Sequence, residues 1–175
     1  MKAARSPRIP SPAHRARLVL SVALPLAAAL ATPALADPAA HAQCKRIRAD
    51  LVEVSATEGC NPGLGSCFLG EVDGNHGLNG TTHFKSDSAA TGPSTSPGFI
   101  SYGGAFEYRT AHGTLFMRET GVTDPAVVTA YQRIDHGSGR FEGASGHFFV
   151  SGTKSGDGVI TTEVTGELCL ARGRH

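Results

Sequence analysis

Residues 137–152 read Gly-Ser-Gly-Arg-Phe-Glu-Gly-Ala-Ser-Gly-His-Phe-Phe-Val-Ser-Gly, with glycine recurring every two to four positions before an aromatic run. Glycine inside a strand pattern loses more entropy on folding than any other residue and offers nothing to pack. A stretch that tolerates so many must contain backbone that bends, bulges or passes close to other backbone, as at the corner of a small barrel. Nothing around it carries a sustained helical period, tryptophan is absent, and 22 of the 175 residues are glycine. The class is all-β.

The alternation of the chain predicts eight short strands. They cover 46–54, 68–72, 78–86, 99–110, 114–120, 126–134, a seventh around 146–151, and 159–169. Asp73-Gly74-Asn75-His76-Gly77 and Lys154-Ser155-Gly156-Asp157-Gly158 are strong turn signals. Residues 87–98 are polar and broken by Pro93 and Pro97, which predicts a long mobile loop. Mostly short connections favour a single eight-stranded antiparallel up-and-down barrel, with a two-sheet sandwich as the competing all-β answer.

The first 36 residues read as an export signal rather than part of the fold. Lys2, Arg5, Arg8, Arg15 and Arg17 precede an apolar run over 18–31, and Ala34-Leu35-Ala36 fits a small-x-small cleavage pattern. This places the protein in the periplasm or outside the cell, without a stable membrane anchor. Residues 37–45 are expected to form a flexible lead-in, 46–170 the barrel domain and 171–175 a C-terminal tail. Without the leader, eleven Lys and Arg remain against fifteen acids, a net charge of −4 that argues against nucleic acid as a partner.

Four cysteines in an exported chain point to disulfides. Of the three arithmetic pairings, Cys60–Cys67 with Cys44–Cys169 is favoured. The first closes a turn-forming loop, and the second staples the first strand to the last. No C-x-x-C or H-x-H pair supports zinc, and no metal or cofactor is expected.

Residues 137–146 also resemble the G-x-G-x-F-x-G-A-x-G signature of the allene oxide cyclase and dirigent-like barrels. Gly152-Thr153 and Thr165-Gly166-Glu167-Leu168-Cys169 are similar to the last hairpin of secreted bacterial relatives. The resemblance spans roughly 66–169 and implies an eight-stranded barrel with an apolar cavity. Some members of that group cyclise or steer reactive intermediates. The motif is a fold signature and carries no catalytic residue with it.

Chemistry is most readable in the fourth and fifth strands. With His112-Gly113 as a two-residue turn, Tyr108 pairs with Met117, Glu107 with Arg118 and Phe106 with Glu119. One face then carries Tyr102, Phe106, Tyr108, Leu115, Met117 and Glu119, the expected lining of a ligand-binding lumen. The other carries Glu107, Arg109, Phe116 and Arg118, with Glu107 and Arg118 as an exposed ion pair. Glu119 is the anomaly, a carboxylate among aromatics whose pKa burial should raise, and it is the candidate catalytic residue. His83, His136 and His147 lie on separate segments and read as exposed or locally bonded. No Gly-x-Ser-x-Gly elbow or phosphate loop occurs.

Three functions fit these residues. One is a small secreted barrel binding an apolar or aromatic molecule in its lumen. Another is a cyclase or isomerase working inside it. The third is a structural or inhibitory barrel with a filled lumen. An open apolar cavity containing an acid favours the second, an open one without an acid the first, and a filled one the third.

Overall fold

The computed structural model describes residues 42–64 and 66–171. The expected export signal, the lead-in as far as residue 41 and residues 172–175 of the tail lie outside them. Eight strands run in order: β1 (Ala42–Ser55), β2 (Cys67–Gly74), β3 (Gly80–Thr91), β4 (Ile100–Thr110), β5 (Gly113–Thr123), β6 (Val127–Gly137), β7 (Ser145–Lys154) and β8 (Ile160–Ala171). Each pairs antiparallel with the next, and β8 pairs with β1, closing an up-and-down barrel.

Inward and outward positions alternate, as the pleat requires. Ile47, Ala49 and Leu51 of β1 are buried while Arg46, Arg48 and Asp50 are exposed. On β8, Thr162, Val164 and Leu168 face in. Closure leaves no free edge on the sheet, and it holds the first strand against the last over twelve residue pairs, from Ala42↔Ala171 to Glu53↔Ile160. Cys44 faces Cys169 in that ladder and is bonded to it, and Cys60 is bonded to Cys67, so all four cysteines are paired.

Several boundaries differ from expectation. Residues 42–45 are strand rather than lead-in, because β8 continues to Ala171 and supplies their partners. β3 runs to Thr91, into what reads as a long loop. A bulge between Ser86 and Ser88 resets the register so that Ser88 to Thr91 pair with Gly103 to Ile100. Arg118 grips Asp87 at that bulge, with Nη2 2.7 Å from Oδ1.

The β4–β5 turn is Ala111-His112, not His112-Gly113. Tyr108 therefore faces Leu115, Phe106 faces Met117, and Gly104 faces Glu119. The slip is two residues, so every side chain keeps its expected face while every cross-strand partner changes. Glu107 and Arg118 are accordingly not a pair: Glu107 accepts from Arg109 at 2.6 Å and lies 3.6 Å from Lys85 Nζ.

The barrel has two unlike ends. At the closed end lie the disulfide Cys44–Cys169, the β4–β5 turn, Leu78 and the glycine-rich motif. The motif forms a 3-10 turn at Gly139–Phe141 that drops the Phe141 ring, fully buried, into the end of the barrel. Gly139 sits at φ +59°, and a Cβ there would collide with the His112 carbonyl, so this turn needs glycine. Arg140 N donates to that same carbonyl at 2.8 Å, and Ser138 N to Thr114 O at 2.8 Å. Thus the motif reads as architecture: it seals one end of the lumen against the β4–β5 hairpin.

Candidate functional site

Above the seal, the lumen is filled. Phe106, Tyr108 and Phe148 pack ring to ring, with centroids 4.8 Å apart for the first two and 5.7 Å for the last. Leu51, Val72, Leu115, Met117, Ile134, Val164 and Leu168 complete the filling. Phe106, Tyr108, Leu115 and Met117 were expected to line a ligand space. They form packed core instead, because the Phe141 plug closes that end and each ring lands on another.

Toward the other end the lumen opens into a cavity of about 140 Å³. Its walls include Phe68, Phe84, Tyr102, Val128, Val150 and Ile160, with Glu53 and Glu119 among them. The exposed Ile100 and Lys154 also line it and mark its mouth. Of the six expected lining residues, Tyr102 and Glu119 are therefore at the cavity and the other four are not. Phe84 bridges Phe68 and Tyr102, with centroids 6.3 and 5.5 Å away, and makes one wall aromatic. Gly121, opposite Tyr102 in the ladder, makes room for that ring: a Cβ there would run into it.

Glu53 is the residue the sequence reading missed. It projects inward from β1, beside Gly70 of β2 and Ile160 of β8, and is 7% exposed. Glu119 projects inward from β5, beside Gly104 of β4 and Gln132 of β6, and is 5% exposed. In a closed ring of eight, β1 and β5 are four strands apart in either direction, so the two carboxyls enter the lumen from opposite walls.

Their surroundings differ. Glu119 Oε2 accepts from Gln132 Nε2 at 2.5 Å, and Gln132 Oε1 in turn accepts from Tyr108 Oη at 2.7 Å. Tyr102 stands beside it at the cavity wall. Burial pushes the Glu119 carboxyl up to about 7, against the pull of the Gln132 bond and of the nearby Tyr102 hydroxyl. Glu53 has no such support: its Oε1 is buried without a partner, as are Thr82 Oγ1 and Thr162 Oγ1. Burial first, and the charge of Glu119 second, push it up to about 8. The two titrate as a pair, with the first proton leaving more readily than the second. Burial and the same two acids push the Tyr102 and Tyr108 hydroxyls further up, so both stay protonated.

No family model, curated protein or solved structure matches this chain. Its chemistry rests on the site.

The remaining sequence candidates lie elsewhere. His83 is buried on the outer face, where the loop after β1 covers it and Cys67 Sγ comes within 3.6 Å of Nε2. The loss of water there lowers its pKa. His136 stacks on Phe116 and His147 on Tyr131, both outside the lumen. Cys44, Glu167 and Cys169 cluster closely enough to suggest a metal, but their disulfide removes both thiolates as ligands. Gln132 also went unnoticed. The alternation Val128, Ala130, Gln132, Ile134 along β6 is the signal that places it inside.

Proposed function

We propose that this protein is a small-molecule-binding barrel whose ligand sits in the open half of the lumen, against the aromatic wall and between Glu53 and Glu119. The observation that carries this reading is the cavity itself: about 140 Å³, apolar over most of its wall, with two buried carboxyls aimed into it. Sites of this build use apolar walls for affinity and a few polar groups for orientation. An acid kept in apolar surroundings is a poor packing choice, since an apolar residue of similar size avoids the desolvation penalty. Binding is tested by following the methyl signals of Val128, Val150 and Ile160 as single-ring compounds are added. Saturable shifts confined to those residues support the reading, and Val150→Phe, which fills the cavity, should remove the shifts of Val128 and Ile160.

A second reading, proton-transfer catalysis, is the one that an acid in an open apolar cavity favours, and it needs the same binding step first: two buried carboxyls enter the space from opposite walls. Burial raises both carboxyls, and the Gln132 bond favours the ionised form of Glu119 while Glu53 Oε1 has no partner, so Glu119 is the better base and Glu53 the better acid. Glu119 would take a proton from one side of a bound substrate while Glu53 delivers one to the other. That exchange is an isomerisation, and solvent protons then reset the pair. A pH–rate profile that collapses in Glu119→Gln tests it.

Two broader proposals accompany this one. The closed end built by residues 137–146 and the eight-stranded topology support kinship with the allene oxide cyclase and dirigent-like barrels. The leader-like composition of residues 1–36 and the two disulfides support export to the periplasm or beyond. No helix among the described residues is long and apolar enough to cross a membrane.

A further inference from the structure

We infer that the cavity selects a compact apolar monoamine, bound as its ammonium ion between Glu53 and Glu119 with its hydrocarbon body against Phe68, Phe84 and Tyr102. This deepens the binding reading and rests on it.

Size sets the body of the ligand. An engineered apolar cavity of about 150 Å³ holds a benzene ring, and this one is about 140 Å³. A single ring or an alkyl group of similar bulk fits, with a short arm.

Charge sets its head. Two carboxyls enter the space from opposite walls, and among the described residues neither makes a salt bridge with a cation; the five ion pairs among those residues all lie elsewhere. Glu53 Oε1 is buried and unpartnered beside the cavity, so a donor is missing there. An ammonium supplies three donors and one positive charge, whereas a hydroxyl supplies one donor and an anion none. The Phe84 and Tyr102 rings at the wall would add cation–π attraction to a cation seated over either ring, and that attraction grows when the cation is desolvated. The titratable groups facing the space are Glu53 from β1, Tyr102 from β4, Glu119 from β5 and Lys154 from β7, with Tyr108 of β4 behind Gln132. Lys154 is the opposing charge. It stands exposed at the mouth, where water and salt screen it, while the acids act at close range inside.

Calorimetry on the folded, oxidised protein decides the matter, using benzylamine, benzyl alcohol and benzoate at pH 7.5. Benzylamine should bind at least about tenfold more tightly than benzyl alcohol, the margin expected for hydrogen bonds to a charged group. Its apparent enthalpy should change with the ionisation enthalpy of the buffer, because seating the cation drives protons off the acid pair. Glu53→Gln and Glu119→Gln should each cost benzylamine about tenfold in affinity and leave benzyl alcohol within about twofold. Both variants remove a buried ionisable group and should fold at least as well as the parent. Benzyl alcohol or benzoate binding as tightly as benzylamine would overturn the amine class while leaving a ligand-binding lumen in place. Benzylamine affinity indifferent to both variants would overturn it too. Failure of all three probes to bind would bring down the binding reading, and this inference with it.

Discussion

The two halves of the lumen are built from the same eight strands with the same alternation, yet one is solid and the other hollow. In the closed half, Phe106, Tyr108, Phe141 and Phe148 are each at most 1% exposed, and the glycine motif locks the end. In the open half, Glu53, Glu119 and Thr162 occupy inward positions where the closed half carries leucine, methionine and phenylalanine. Burying carboxyls without cations costs stability. The closed half therefore supplies the core that lets the open half carry groups unsuited to a core. That division is what the proposed binding role requires.

Deleting the disulfide at each end breaks the comparison most severely. Cys44–Cys169 closes a loop with a separation of 125 residues at the closed end, and Cys60–Cys67 one of 7 at the open end. Loop entropy assigns roughly 5 kcal/mol to the first and about 2 kcal/mol to the second. Replacing Cys44 and Cys169 together by serine should lower the melting temperature more than replacing Cys60 and Cys67. The reverse order would mean that the closed end is not the stabilising half.

Truncating rings comes next. Phe148→Ala in the closed half should cost about 3–5 kcal/mol by urea unfolding, because it opens a cavity in packed core. Phe68→Ala, half-buried at the cavity wall, should cost about half as much or less, since water can fill what it leaves.

Removing an acid should have the opposite sign. Glu53 has its pKa raised on folding, so its contribution is fully favourable below about 4.5 and is lost as pH climbs toward about 8. Glu53→Gln should therefore stabilise the barrel by about 2–4 kcal/mol at pH 8 and change little at pH 4.5. Equal stability of variant and parent at both pH values would place Glu53 in water. Gly121→Ala, the smallest effect, should cost about 1–3 kcal/mol by displacing the Tyr102 ring. It should weaken ligand binding more than it weakens the fold.

The closed half was the more legible in sequence. Its motif has an unmistakable glycine spacing, its strands alternate cleanly, and Tyr108, Leu115 and Met117 fall inside whichever residues form the turn, because a slip of two preserves faces. The open half was not. Glu53 sits between Val52 and Val54, which face outward at 43% and 50% exposure, so apolar residues there occupy both faces and hydrophobicity does not choose between them. Only counting in twos from Ile47 through Ala49 and Leu51 puts Glu53 inside. The bulge at Ser86/Ser88 hid in a polar stretch whose composition says loop, while its pairing with β4 is backbone hydrogen bonding that composition does not report. Opposition of β1 and β5 across the lumen is a property of closure, and no local pattern contains it.

The central claim is that two carboxyls face one cavity from opposite walls and are held there against ionisation. Carbon-13 NMR of the side-chain carboxyls, followed from pH 3 to pH 10 and assigned with Glu53→Gln and Glu119→Gln, tests it directly. Both Glu53 and Glu119 should titrate well above the ordinary glutamate range, near 8 and 7, and removal of either should lower the midpoint of the other. Two independent midpoints near 4.5 would contradict the account.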